Sequence, residues 1–103
     1  MDKPRVPVLI RWLTPEQGGR KSPPFAGYMP RIEFEYFPFA QGEAWSVVLD
    51  DLRTNGTESE GSMRFLSEEA PVEALQRGGA FKLFEGGRTV AEGYVLALVP
   101  SHA

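Results

Sequence analysis

Glu85-Gly86-Gly87-Arg88-Thr89-Val90-Ala91-Glu92-Gly93 decides the fold of this chain. The glycine pair stands between the apolar run ending at Phe84 and a second run begun near Thr89. That length suits a tight hairpin, where glycine relieves the positive-φ penalty. Working outward, apolar residues recur with period two, the signature of strands rather than helices. Phe81 and Leu83 alternate with Lys82 before the turn; Tyr94, Leu96 and Leu98 define a strand after it. Val8, Ile10 and Trp12 share one face of a first strand, with Leu9, Arg11 and Leu13 opposite. Ile32, Phe34 and Tyr36 alternate with Glu33 and Glu35; Trp45, Val47 and Leu49 make a third strand, and Met63 with Phe65 anchors a fourth.

The connections fit strands as well. Asn55-Gly56, inside the polar stretch Thr54 to Ser62, marks a hairpin end. Segment 71–77 has a helical cast but is too short to be more than a turn. Segment 14–30 differs, being a long loop with four prolines and three glycines, which Phe25 and Tyr28 could pack. Six short strands without a strong helix predict an all-β fold, a small closed antiparallel barrel that removes exposed edges.

At 103 residues the chain is expected to be a single domain, 1–103, with a flexible tail at 100–103. Its 42% hydrophobic content argues against disorder despite 11 Gly and 9 Pro. The net charge of −3 speaks against bulk affinity for nucleic acid. It is unevenly placed, however: residues 1–31 carry six basic and two acidic side chains, residues 32–103 five basic and twelve acidic. A local basic patch in the first third therefore stands beside the alternative of a mixed, solvated surface.

The chain has no cysteine, which excludes disulfides and thiolate chemistry. The apolar run Val6 to Ile10 is too short for a signal peptide, and no stretch approaches the ~20 apolar residues of a membrane span. A cytoplasmic protein with no membrane partner is expected, and the sequon Asn55-Gly56-Thr57 then serves as a turn. His102, the only histidine, lies near the C-terminus, so triad and zinc chemistry lack their usual residues. Asp50-Asp51 and Glu68-Glu69 are adjacent pairs, and adjacent strand residues point to opposite faces. A non-enzyme without metal or other cofactor is expected.

Two blocks carry a family resemblance. In residues 8–36 an apolar strand runs into Thr14-Pro15-Glu16-Gln17-Gly18-Gly19-Arg20-Lys21, followed by Pro24-Phe25, Gly27-Tyr28, Pro30 and the Ile32/Phe34/Tyr36 strand. In residues 71–95, Ala74-Leu75, Gly78, Phe81 and Glu85 to Val90 recur in register, closed by Gly93 and Val95. Together they resemble the C-terminal, third-domain β-barrel of elongation factor Tu, here as a stand-alone unit. In that family the barrel packs on a second domain, grips the T-stem of aminoacyl-tRNA and meets the nucleotide-exchange factor. This chain contains neither Gly-x-x-x-x-Gly-Lys-Ser/Thr nor Asn-Lys-x-Asp, so neither nucleotide binding nor GTP hydrolysis is expected.

The tRNA-facing positions depart from the family. Its Arg in Gly-Tyr-Arg-Pro is Met29 here, the following Gln is Arg31, and the His after the first Gly-Gly-Arg is Lys21. A basic residue expected before a later proline falls at Ala70, amid Glu68 and Glu69. The second Gly-Gly-Arg is intact.

Candidate binding residues follow. Gly86, Gly87 and Arg88 could bring backbone and charge to a phosphate; alternatively they form a tight turn with arginine paired to a nearby carboxylate, which Glu85 and Glu92 favour. Arg20, Lys21 and Arg31 with Phe25 and Tyr28 could form a basic-aromatic patch for RNA, or the aromatics pack the loop while the cations meet water. Loss of the GTPase motifs and of the basic footprint points to a binding module for another protein, with tRNA or other RNA as the alternative partner.

Overall fold

A computed structural model describes residues 4–21 and 25–97. Pro24, Leu98, His102 and the tail at 100–103 lie outside the described residues. Six strands form: β1 (Val6–Trp12), β2 (Arg31–Phe34), β3 (Trp45–Asn55), β4 (Glu58–Phe65), β5 (Ala80–Glu85) and β6 (Arg88–Val95). They close into an all-β barrel in the order β1-β4-β3-β2-β5-β6, every neighbouring pair antiparallel. Among the described residues helix is confined to two single 3-10 turns, Pro15–Gln17 and Val72–Ala74. None is long and apolar enough to cross a membrane.

Alternation explains the core. Val8, Ile10 and Trp12 of β1 point inward and are buried, as are Ile32, Phe34, Val47, Leu49, Met63 and Phe65. Each large apolar side chain so removed from water contributes about 1.5–3 kcal/mol. The interior also holds a buried polar side chain, Ser59. Trp12 Nε1 donates to the buried Ser59 hydroxyl at 2.8 Å, and Ser59 shares a 2.7 Å hydrogen bond with Thr54.

The structure corrects three details of the strand pattern. β2 ends at Phe34, and Tyr36 lies beyond it in a turn, exposed, where its hydroxyl donates to the Ala74 carbonyl. Phe37 folds back to bridge Phe34, and Pro38 then follows with no N–H for a ladder.

The polar stretch after Asn55 is strand: β4 begins at Glu58, leaving Gly56-Thr57 as the turn. Its inward positions are simply small, Ser59 and Gly61, before Met63 and Phe65. A bulge between Asp50 and Arg53, with Asp51 at φ 55°, twists this ribbon until Thr57 accepts from the Trp12 amide at 2.7 Å.

In β6 the face is inverted. Ala91, Gly93 and Val95 are buried, whereas Tyr94 and Leu96 stand exposed. A register shift opposite Leu83 and Phe84 leaves Val90 as the extra residue, so Val90 and Ala91 are both buried. Gly93 pairs with Ile10 and Phe81, and a Cβ there would overlap the Leu9 carbonyl oxygen. Only glycine fits at that inward position.

Because neighbours are antiparallel, the connections divide between two ends. Loop 13–30, the Gly56-Thr57 turn and the Gly86-Gly87 turn share one end, and the segments 35–44 and 66–79 share the other.

Candidate functional site

The first Gly-Gly-Arg is a device for aiming Arg20. Thr14 caps the 3-10 turn, accepting from the Gln17 amide while the Gln17 side chain accepts from the Thr14 amide. Gly18 closes the turn at φ 91°, and Gly19 is buried so tightly that a Cβ would overlap the Leu13 carbonyl oxygen. Arg20 thereby points across the barrel end toward the other Gly-Gly-Arg. Its Nε lies 2.7 Å from Glu85 Oε2, with the side chain only 15% exposed.

Glu85 is the hub. The Tyr28 hydroxyl donates a short hydrogen bond to the same Oε2, and Arg88 Nη2 lies 3.6 Å from Oε1. The Arg20 guanidinium stacks over the rings of Tyr28, at 4.5 Å, and Phe25, at 5.4 Å. Tyr28 itself is tied to the sheet by a bridge to Leu49 and touches Trp12 at a ring separation of 5.9 Å. Burial, then the hydrogen bond and charge of Glu85, push the Tyr28 phenol far above its ordinary pKa, with Arg20 and Arg88 opposing weakly.

Arg31 belongs to the next strand along. It lies over the Phe84 ring at 4.6 Å, pairs with Glu33 at 2.9 Å and donates to the Gly86 carbonyl at 3.4 Å. Glu85 and Arg88 are a register pair, so Gly86-Gly87 is a two-residue hairpin turn with Gly86 at φ 58°. Lys21 is exposed and makes no ion pair among the described residues. Of the eight sequence-derived candidates, Arg20, Phe25, Tyr28 and Arg88 thus gather at Glu85. Arg31 and Gly86 adjoin them, while Gly87 has open space around it and Lys21 is exposed.

Sequence reasoning noticed Glu85 only as a local carboxylate beside the Gly86-Gly87-Arg88 turn, one that disfavours phosphate. Its role as acceptor for groups 57 and 65 residues away carries no local signal. A second feature was missed with it: the outer face of β1, β6, β5 and β2 forms a groove of about 450 Å³. Along it the register aligns Glu33, Lys82, Glu92, Arg11 and Glu58, a row of alternating sign across five strands. The row beside it is Ala80, Tyr94 and Leu9, with Tyr94 46% exposed. Opposite charges on paired outward positions could have revealed the first row; the inverted face of β6 hid the second. No protein-family model matches the chain.

Proposed function

We propose that this barrel is a non-catalytic binding module whose partner is another protein, similar in kind to the third domain of elongation factor Tu. The observation that carries it is the exposure of Tyr94 and Leu96 on the outer face, beside half-buried Leu9. Exposed aromatic and aliphatic side chains grouped on a sheet supply the apolar centre of protein interfaces. The closed antiparallel barrel is compatible with the resemblance, and the two Gly-Gly-Arg elements meet at one end through Glu85.

The state of the cations adds support. Arg20 and Arg88 are paired with Glu85, and Arg31 with Glu33. A phosphate approaching this end would compete with carboxylates already in place. An RNA partner is favoured only by the exposure of Lys21, Phe25 and Arg88.

A tagged pull-down from the native host, with protein and RNA eluates identified separately, tests the proposal. A stoichiometric protein is expected. Monomeric behaviour with no protein recovered would contradict it, and RNA alone in the eluate would favour the other partner.

A further inference from the structure

We infer that the outer groove docks an extended peptide segment of the partner, one that sets Lys or Arg side chains beside a bulky apolar residue. This rests on the protein-binding proposal and names the chemistry of its site. Ala80 is small and leaves room on the groove floor, while Leu9 and Tyr94 supply apolar area beside it. The volume of about 450 Å³ falls in the range of built ligand sites, ~300–1,000 Å³.

Charge then chooses the occupant. Four carboxylates and two cations line the groove. Arg11 is bonded to Glu92 at 2.5 Å, and Glu33 is taken by Arg31 at 2.9 Å. Lys82 stands in register between Glu33 and Glu92. Glu35 and Glu58 are left without an ion pair among the described residues, and they lie on opposite sides of the groove, next to β2 and on β4. The strands between them are spaced by roughly 4.8 Å each, so the crossing of about 19 Å suits an extended segment of about six residues. Such a segment would meet carboxylates at both ends and apolar surface between. An anionic ligand or nucleic acid meets the wrong sign, and a bare metal ion gains nothing from Leu9, Tyr94 and Ala80.

The test uses the full chain and three fluorescein-labelled nine-residue peptides: alternating Lys and Leu, alternating Glu and Leu, and alternating Lys and Ser. Saturable anisotropy is expected for the Lys/Leu peptide, with the other two weaker by roughly tenfold or more. Amide shifts should centre on Leu9, Ala80, Lys82, Glu92 and Tyr94. Glu35→Gln with Glu58→Gln, and separately Tyr94→Ala, should each weaken binding by roughly tenfold, whereas Lys82→Gln should tighten it. Circular dichroism confirms that each variant is folded. Equal binding of the Lys/Ser peptide, shifts at another face, or indifference to all three variants would overturn the inference. So would sedimentation showing a second copy of the chain seated in the groove. A native protein partner that survives Tyr94→Ala and the double Glu variant would refute this site while leaving the protein-binding proposal intact; recovery of RNA alone would refute that proposal itself.

Discussion

Gly86 and Gly87 are neighbours with different duties. Gly86 holds φ 58°, a conformation a side chain resists, whereas Gly87 has ordinary φ and open space around it. Gly86→Ala should therefore cost about 1 kcal/mol, and Gly87→Ala less than about 0.5 kcal/mol, compared by urea midpoints. Equal losses would mean that the turn is not the one described. Glu85 offers a larger effect at the same scale. Glu85→Gln removes the carboxylate paired with the part-buried Arg20 and weakens the bonds from Tyr28 and Arg88, a loss of about 1–3 kcal/mol. Denaturation of Glu85→Gln no easier than wild type would remove Glu85 from its place as hub. The glycine turn was legible from its dipeptide, because local backbone demands leave local marks. The hub was not, since it depends on which distant loop the closed sheet brings near.

Individual strands show where period-two reasoning holds and where it slips. β1, β3 and β5 were legible because their inward positions carry large apolar side chains. β6 was not, because a bulged Val90 breaks the alternation and the inward position between Ala91 and Val95 is glycine. Tyr94 looked like the core residue precedence would choose, yet it faces out. Gly93→Ala tests this packing: a methyl there meets the Leu9 carbonyl and the Phe81 ring, so a loss of about 1–3 kcal/mol is expected in thermal or urea unfolding. A neutral effect would contradict the close approach of β6 to β1. The start of β4 was misjudged for a related reason, since Ser59 and Gly61 sit inside without hydrophobic character. Ser59→Ala should destabilise by about 1–3 kcal/mol, because it strands the Trp12 N–H in the core.

At the scale of the molecule, charge is organised by the closed sheet rather than by chain position. The basic first third is matched against acidic residues from the rest: Arg11 with Glu92 and Arg20 with Glu85, besides the within-strand pair Arg31 and Glu33. Composition alone showed both charges and could not show the pairing, which the barrel order creates. One global consequence is alkaline sensitivity. Burial raises the pKa of both Tyr28 and Tyr36 in the folded state. Both phenols keep their protons in folded and unfolded chains below about pH 10, where their contribution is complete. Above that the unfolded chain releases protons first, so stability falls as pH rises. Urea midpoints measured between about pH 8 and about pH 11 should decline at the alkaline end, and the decline should shrink in Tyr28→Phe. A flat profile would contradict a buried, hydrogen-bonded Tyr28.

The proposal that the loop-end cations are engaged by Glu85 and Glu33, with the partner protein docking on the outer face, predicts that this end takes no tRNA. Its most direct test is a titration of labelled tRNA with the wild-type chain at low salt, repeated with Arg31→Ala. No saturable binding by either is the expected result. Saturable, salt-sensitive binding that weakens in Arg31→Ala would contradict the claim.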